Sequence, residues 1–106
     1  MPDSISGEVF EDIVRGDSVR IERIVSQGQV TPEDEWYDQD AHEWVILLQG
    51  AARLLLEVPA AGDSTASVEE VSLSAGDYVN IPAHRRHRVS WTDPERQTVW
   101  LAVFYR

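Results

Sequence analysis

The chain has 106 residues, 42% of them apolar, which suits one domain with a real core and excludes disorder. Cysteine is absent, so disulfide frameworks, zinc–thiolate sites and cysteine nucleophiles are excluded as well. The net charge is −10 and all nine basic residues are arginine; such a surface repels nucleic-acid phosphates and anionic lipid, so neither is an expected partner.

Met1-Pro2-Asp3-Ser4 lacks the basic and apolar regions of a signal peptide, and no later stretch is long or apolar enough to span a bilayer. A cytoplasmic protein is expected. Residues 1–18 read as an N-terminal extension or edge strand, and 7–14 is the one window that tolerates a short helical turn. Val19, Ile21, Arg23 and Val25 then alternate with Arg20, Glu22 and Ile24, a strand with one mostly apolar face. Gly28 and Pro32 punctuate the stretch after it. Residues 43–49 and 52–58 are strongly β-forming on either side of Gly50 and Ala51, the pattern of a hairpin. The small, polar run 59–67 reads as a surface loop. Val68, Val71 and Leu73 mark a short strand ending at Ala75-Gly76-Asp77, and 78–81 is another, stopped by Pro82. Residues 87–91, the turn Asp93-Pro94-Glu95 and the apolar strand 98–105 complete the chain.

Roughly eight or nine short strands between Gly/Pro turns argue for an all-β sandwich or barrel as a single domain over 1–106. Some strands are apolar on both faces: Val45 and Leu47 alternate with Trp44, Ile46 and Leu48. A small barrel has one interior, so the second face needs a cover. The N-terminal strand or a second subunit is expected to supply it, and a homodimer is the expected assembly. The four tryptophans read as core and interface anchors before anything else.

The chemistry gathers in two places. All three histidines fall in 36–44 (His42) or 76–87 (His84, His87), and these segments also carry Asp38, Asp40, Glu43 and Asp77. Imidazole with carboxylate is the side-chain set for a borderline divalent metal, and the concentration suggests a pocket. Arg85, Arg86 and Arg88 form a basic knot in an acidic protein. Its leading reading is a solvated strand end paired with carboxylates; the sharper one makes Arg85 an anchor for an anionic substrate. No Gly-x-Ser-x-Gly or Gly-rich phosphate loop occurs, and no organic cofactor is indicated.

These segments resemble the cupin superfamily, whose second motif is Gly, five residues, Pro, any residue, usually Gly, two residues, then a ligand His. Gly76, Pro82 and His87 hold that spacing, with His84 where glycine is usual. The first motif is His, any residue, His, three or four residues, Glu, six residues, Gly; Glu43 and Gly50 hold its end. The resemblance covers about residues 30–92, with motif regions 36–50 and 76–91, and implies a double-stranded β-helix (jelly-roll) barrel. It also implies a metal held by three His and one Glu, and here the sequence departs from it. Three-residue spacing puts Tyr37 and Gln39 in place of the first two histidines; four-residue spacing puts Trp36 and Asp38 there.

Strand alternation ranks the candidates. If Glu43 points inward with Val45 and Leu47, His42 points outward. His87 shares a face with Val89 and Trp91, and His84 lies in a turn where alternation does not decide its direction. The expected site is a divalent metal (iron, manganese, nickel or zinc) on His87, Glu43 and one of Asp38, Gln39 or His84. With a small organic molecule as ligand, Trp36, Tyr37, Tyr78, Trp91 and Arg85 are the candidate pocket residues. Each has a plainer alternative: Glu43 and His87 as a buried hydrogen-bonded pair, Asp38 as a turn residue, the tyrosines as wall and the tryptophans as core. The competing functional reading is a non-catalytic binding or sensing module with no metal.

Overall fold

The computed structural model describes residues 7–58 and 67–106, and every regular element among them is a strand. In chain order these are β1 (Val9–Arg15), β2 (Val19–Ser26), β3 (His42–Gln49), β4 (Ala51–Val58), β5 (Ser67–Ser74), β6 (Tyr78–Ile81), β7 (His87–Thr92) and β8 (Thr98–Tyr105). A five-stranded sheet, β1-β2-β8-β3-β6, faces a three-stranded sheet, β5-β4-β7. All pairings are antiparallel, as expected of the jelly-roll architecture. No helix is long and apolar enough to cross a membrane among the described residues.

Period-two patterning explains the core. On β3, Glu43, Val45 and Leu47 are buried while the residues between them are half-buried; on β4, Ala52, Leu54 and Leu56 are buried. These residues meet Leu73, Ile81, Trp100 and Ala102 between the sheets. Removing a leucine side chain from water contributes about 1.5–3 kcal/mol, so this layer carries the fold.

One sequence expectation, the hairpin at Gly50, needs correction, and two points left open are decided. Residues 7–14 hold no helical turn, because Val9–Arg15 pairs with β2 from Val9↔Val25 to Arg15↔Arg20. Gly50 does not close a hairpin: β3 and β4 lie in different sheets, and the chain crosses between them there. Gly50 has φ +89°, and Thr98 Oγ1 holds both the N–H and the C=O of Ala51, at 3.3 and 3.1 Å. On β2 the face lining the barrel interior is Arg20, Glu22 and Ile24, not the more apolar one. Their register partners Phe104, Ala102 and Trp100 set that orientation, since cross-strand neighbours share a face. Most of the expected loop 59–67 lies outside the described residues.

The outer face of β3 is only partly covered. Trp44 packs on the Tyr78 ring at 5.6 Å and Ile46 is half-buried, but Leu48 is 50% exposed. Strand β1 cannot cover it, because β1 extends the far edge of the same sheet.

Candidate functional site

The segment before β3 belongs to neither sheet, yet it is tied firmly to the second motif. Tyr37 and His87 exchange backbone hydrogen bonds (2.8 and 3.1 Å), and the His84 N–H donates to the Gln39 carbonyl at 2.8 Å. These bonds lay 37–39 alongside 84–87. Tyr37, Gln39, Glu43 and His87 therefore line one cavity, of about 200 Å³, with Val45, Leu54, Trp100 and Phe104 among its apolar walls. The four positions given by three-residue spacing are the ones brought together.

Glu43 and His87 are 8% and 6% exposed, and His87 Nε2 lies 3.4 Å from Glu43 Oε1. The Gln39 amide donates to the same carboxylate oxygen at 3.3 Å. On the other side of the ring, His87 Nδ1 is 2.9 Å from the Arg85 carbonyl. A carbonyl only accepts, so Nδ1 carries a proton and Nε2 is the atom turned to Glu43 and the cavity. Burial alone would depress the His87 pKa; the hydrogen bond to Glu43, the Arg85 carbonyl and the charges of Glu43 and Asp38 outweigh it and raise the pKa above its ordinary 6.5. Tyr37 stacks on the imidazole at 5.5 Å, and burial, assisted by nearby Glu8, raises its phenol above the usual 10.

The remaining candidates stand elsewhere. Asp38 and His84 pair with each other at 2.8 Å, with both side chains half exposed or more, and neither lines the cavity. His84 has φ +64°, the left-handed conformation that accounts for glycine being usual at that place. His42 accepts the Ala83 N–H at 2.9 Å and packs on Tyr105. Trp36 lies beneath Arg86 and Arg88, at 5.3 and 5.9 Å from their guanidinium carbons, and Trp91 takes Arg53 at 5.2 Å. Tyr78 is 65% exposed on the outer face, and the Arg85 side chain is not on the cavity wall. Arg20, Glu22 and Phe104 do line it. Strand alternation contained that signal, but the apolar face of β2 concealed it.

A borderline divalent ion is usually held by three or four protein donors. His87 Nε2 and Glu43 Oε1 are good donors; Gln39 offers a neutral amide and Tyr37 a phenol. Among the described residues no three His, Asp or Glu side chains gather to hold an ion. Two strong donors, His87 and Glu43, fall short of that number unless the weaker Gln39 and Tyr37 complete the set.

No protein-family model and no curated protein matches the sequence. Among solved structures, a candidate mannose-6-phosphate isomerase from Ralstonia eutropha JMP134 is 38% identical, with TM-score 0.81 over 98% of this chain and 89% of that one. A cupin superfamily protein from Desulfitobacterium hafniense DCB-2 aligns at 15% identity and TM-score 0.71, over 99% and 83% of the two chains. HppE, solved with Fe(II) and the alternative substrate (S)-1-HPP, aligns at 15% identity and TM-score 0.72, over 99% of this chain and 53% of its own. The last two likenesses are of fold.

Proposed function

The chain belongs to the cupin superfamily, and from that premise we propose that it binds a small organic molecule in its barrel, against an acid–base pair formed by His87 and Glu43. The observation that carries this reading is the buried Nε2–Oε1 contact at the polar end of an otherwise apolar cavity. About 200 Å³ falls below the roughly 300–1,000 Å³ of pockets for drug-sized ligands, so the ligand is small. With Nδ1 committed to the Arg85 carbonyl, protons enter and leave the ring at Nε2, where a ligand oxygen can give or receive one. Isomerisation, the activity named for the 38%-identical relative, moves a proton between neighbouring carbons, and a buried imidazole–carboxylate pair suits such chemistry.

Protein purified without added metal provides the test, by elemental analysis and by NMR of the His87 ring during a small-molecule screen. Less than stoichiometric metal, with His87 and cavity-wall resonances moved by at least one organic ligand, supports the proposal. One equivalent of iron, manganese, nickel or zinc, lost in His87→Ala, would restore the metal-centre reading. A metal-free cavity that no small molecule perturbs would leave neither standing.

A homodimer is proposed as the assembled form. Leu48 on the outer face of β3, with Val9, Ile13 and Val14 on edge strand β1, leaves apolar side chains 43–51% exposed. Sedimentation should give twice the chain mass, and Leu48→Asp should shift it towards the monomer; a wild-type monomer at high concentration removes the proposal.

A further inference from the structure

Arg20 is the one arginine on the cavity wall. It comes from β2, where its register partner is Phe104, and its guanidinium carbon lies 4.3 Å from the centre of that ring. Stacking of this kind holds the planar fork by its face and leaves its N–H groups free at the edges. Among the described residues its Nε is buried and makes no hydrogen bond, and Arg20 forms no ion pair. The other charges on the wall are differently placed. Glu43 has His87, and Glu8 accepts from the Ser26 hydroxyl. Glu22, two residues along β2 on the same face, has its pKa raised mainly by burial, with the Arg20 charge opposing. Arg20, Gln39 and Phe104 also line an adjoining cleft beside the β1–β2 turn, so the guanidinium stands at the boundary between the two spaces.

A partly buried cation with an unused donor and an aromatic backing is incomplete without an acceptor. We infer that the molecule bound in the cavity carries an oxyanion, a carboxylate or a phosphate, which docks on the Arg20 guanidinium while the rest of the molecule reaches towards His87 and Glu43. This rests on the small-molecule reading above and adds the chemical class of the ligand and the residue that selects it. The basic knot at residues 85–88 is not the anchor, because none of its arginines is on the cavity wall: Arg86 pairs with Glu57 at 3.1 Å, and Arg88, whose Nε is also buried and without a bond, donates through its other nitrogens to the Glu33 and Thr31 carbonyls.

Benzoate, phenyl phosphate and benzamide share a ring of similar size and differ in the group presented to the arginine. Each is titrated separately into isotope-labelled protein, with backbone amides and the Arg20 Nε–H observed by NMR. At least one anion should bind about tenfold more tightly than benzamide, the margin expected of a charge-assisted contact. The stronger of the two anions tells carboxylate from phosphate. Arg20→Gln should cut the margin to below about twofold, Arg20→Lys should keep part of it, and Arg53→Gln should leave it intact. Thermal melting checks that the variants fold; if Arg20→Gln does not, Arg20→Lys decides, and an undiminished margin there overturns the inference. Benzamide binding as well as the anions, or a preference that survives loss of Arg20, overturns it and leaves small-molecule binding standing. No binding by any of the three overturns both.

Discussion

Gly50→Ala should lower the melting temperature by roughly 10–25 °C, from a loss of about 2–6 kcal/mol. Two costs add. The backbone there has φ +89°, where a side chain is strained whatever the space around it. An added Cβ would also meet the Thr98 side chain, lie 2.7 Å from the Thr98 Cα and 2.8 Å from the Gln97 carbonyl oxygen. Two of those atoms are backbone and cannot rotate away. Gly76→Ala is the internal comparison: φ is +94° but nothing lies within 4 Å of the new methyl, so only the conformational cost remains, about 1–3 kcal/mol. Equal losses at the two positions, measured by thermal or urea unfolding, would mean that the crossing at Gly50 is looser than described.

Glu43→Gln should reverse the sign with which His87 links stability to pH. In the wild type the imidazole pKa is raised, so its contribution is fully present below about 6.5 and fades as pH climbs through the folded-state value. Removing the carboxylate takes away the strongest opposition to burial, and burial then depresses the pKa. The variant's ring favours folding when neutral and costs stability as pH falls. The difference between the two stability curves, taken from about pH 5.5 to 8, isolates this histidine from groups common to both. Each tenfold change in its proton affinity is worth about 1.4 kcal/mol. His87→Ala should be the more damaging change, about 3–5 kcal/mol, because it strands a buried carboxylate with only the Gln39 amide. NMR titration of the ring gives the direct reading, and a pKa unmoved by Glu43→Gln would dissolve the pair.

Much of this was legible in the residues, for identifiable reasons. The alternation of Glu43, Val45 and Leu47 announced which side of β3 is interior, because a strand has only two faces. The Gly76–Pro82–His87 spacing announced the second motif. Pairing was less readable: a glycine between two β-forming runs looks the same whether the chain folds back or crosses to another sheet, and the deciding contact comes from Thr98, far along the chain. Two spacings of the first motif competed until the Tyr37–His87 bridge, a non-local bond, selected between them. On β2, composition marked one face as mostly apolar without saying which is interior, and a cavity wall, unlike a packed core, accepts Arg20 and Glu22.

The polar end of the cavity is assembled from two kinds of parts. Glu43 stands in a strand whose neighbours are packed, so its position is inherited with the barrel. Tyr37 and Gln39 ride on a strap fastened through backbone atoms, which leave the side chains uncommitted to the fastening. Exchanging either residue changes what the cavity presents to a ligand while the fastening and the core layer stay as they were. The barrel is in this respect a fixed socket with a replaceable contact at positions 37 and 39.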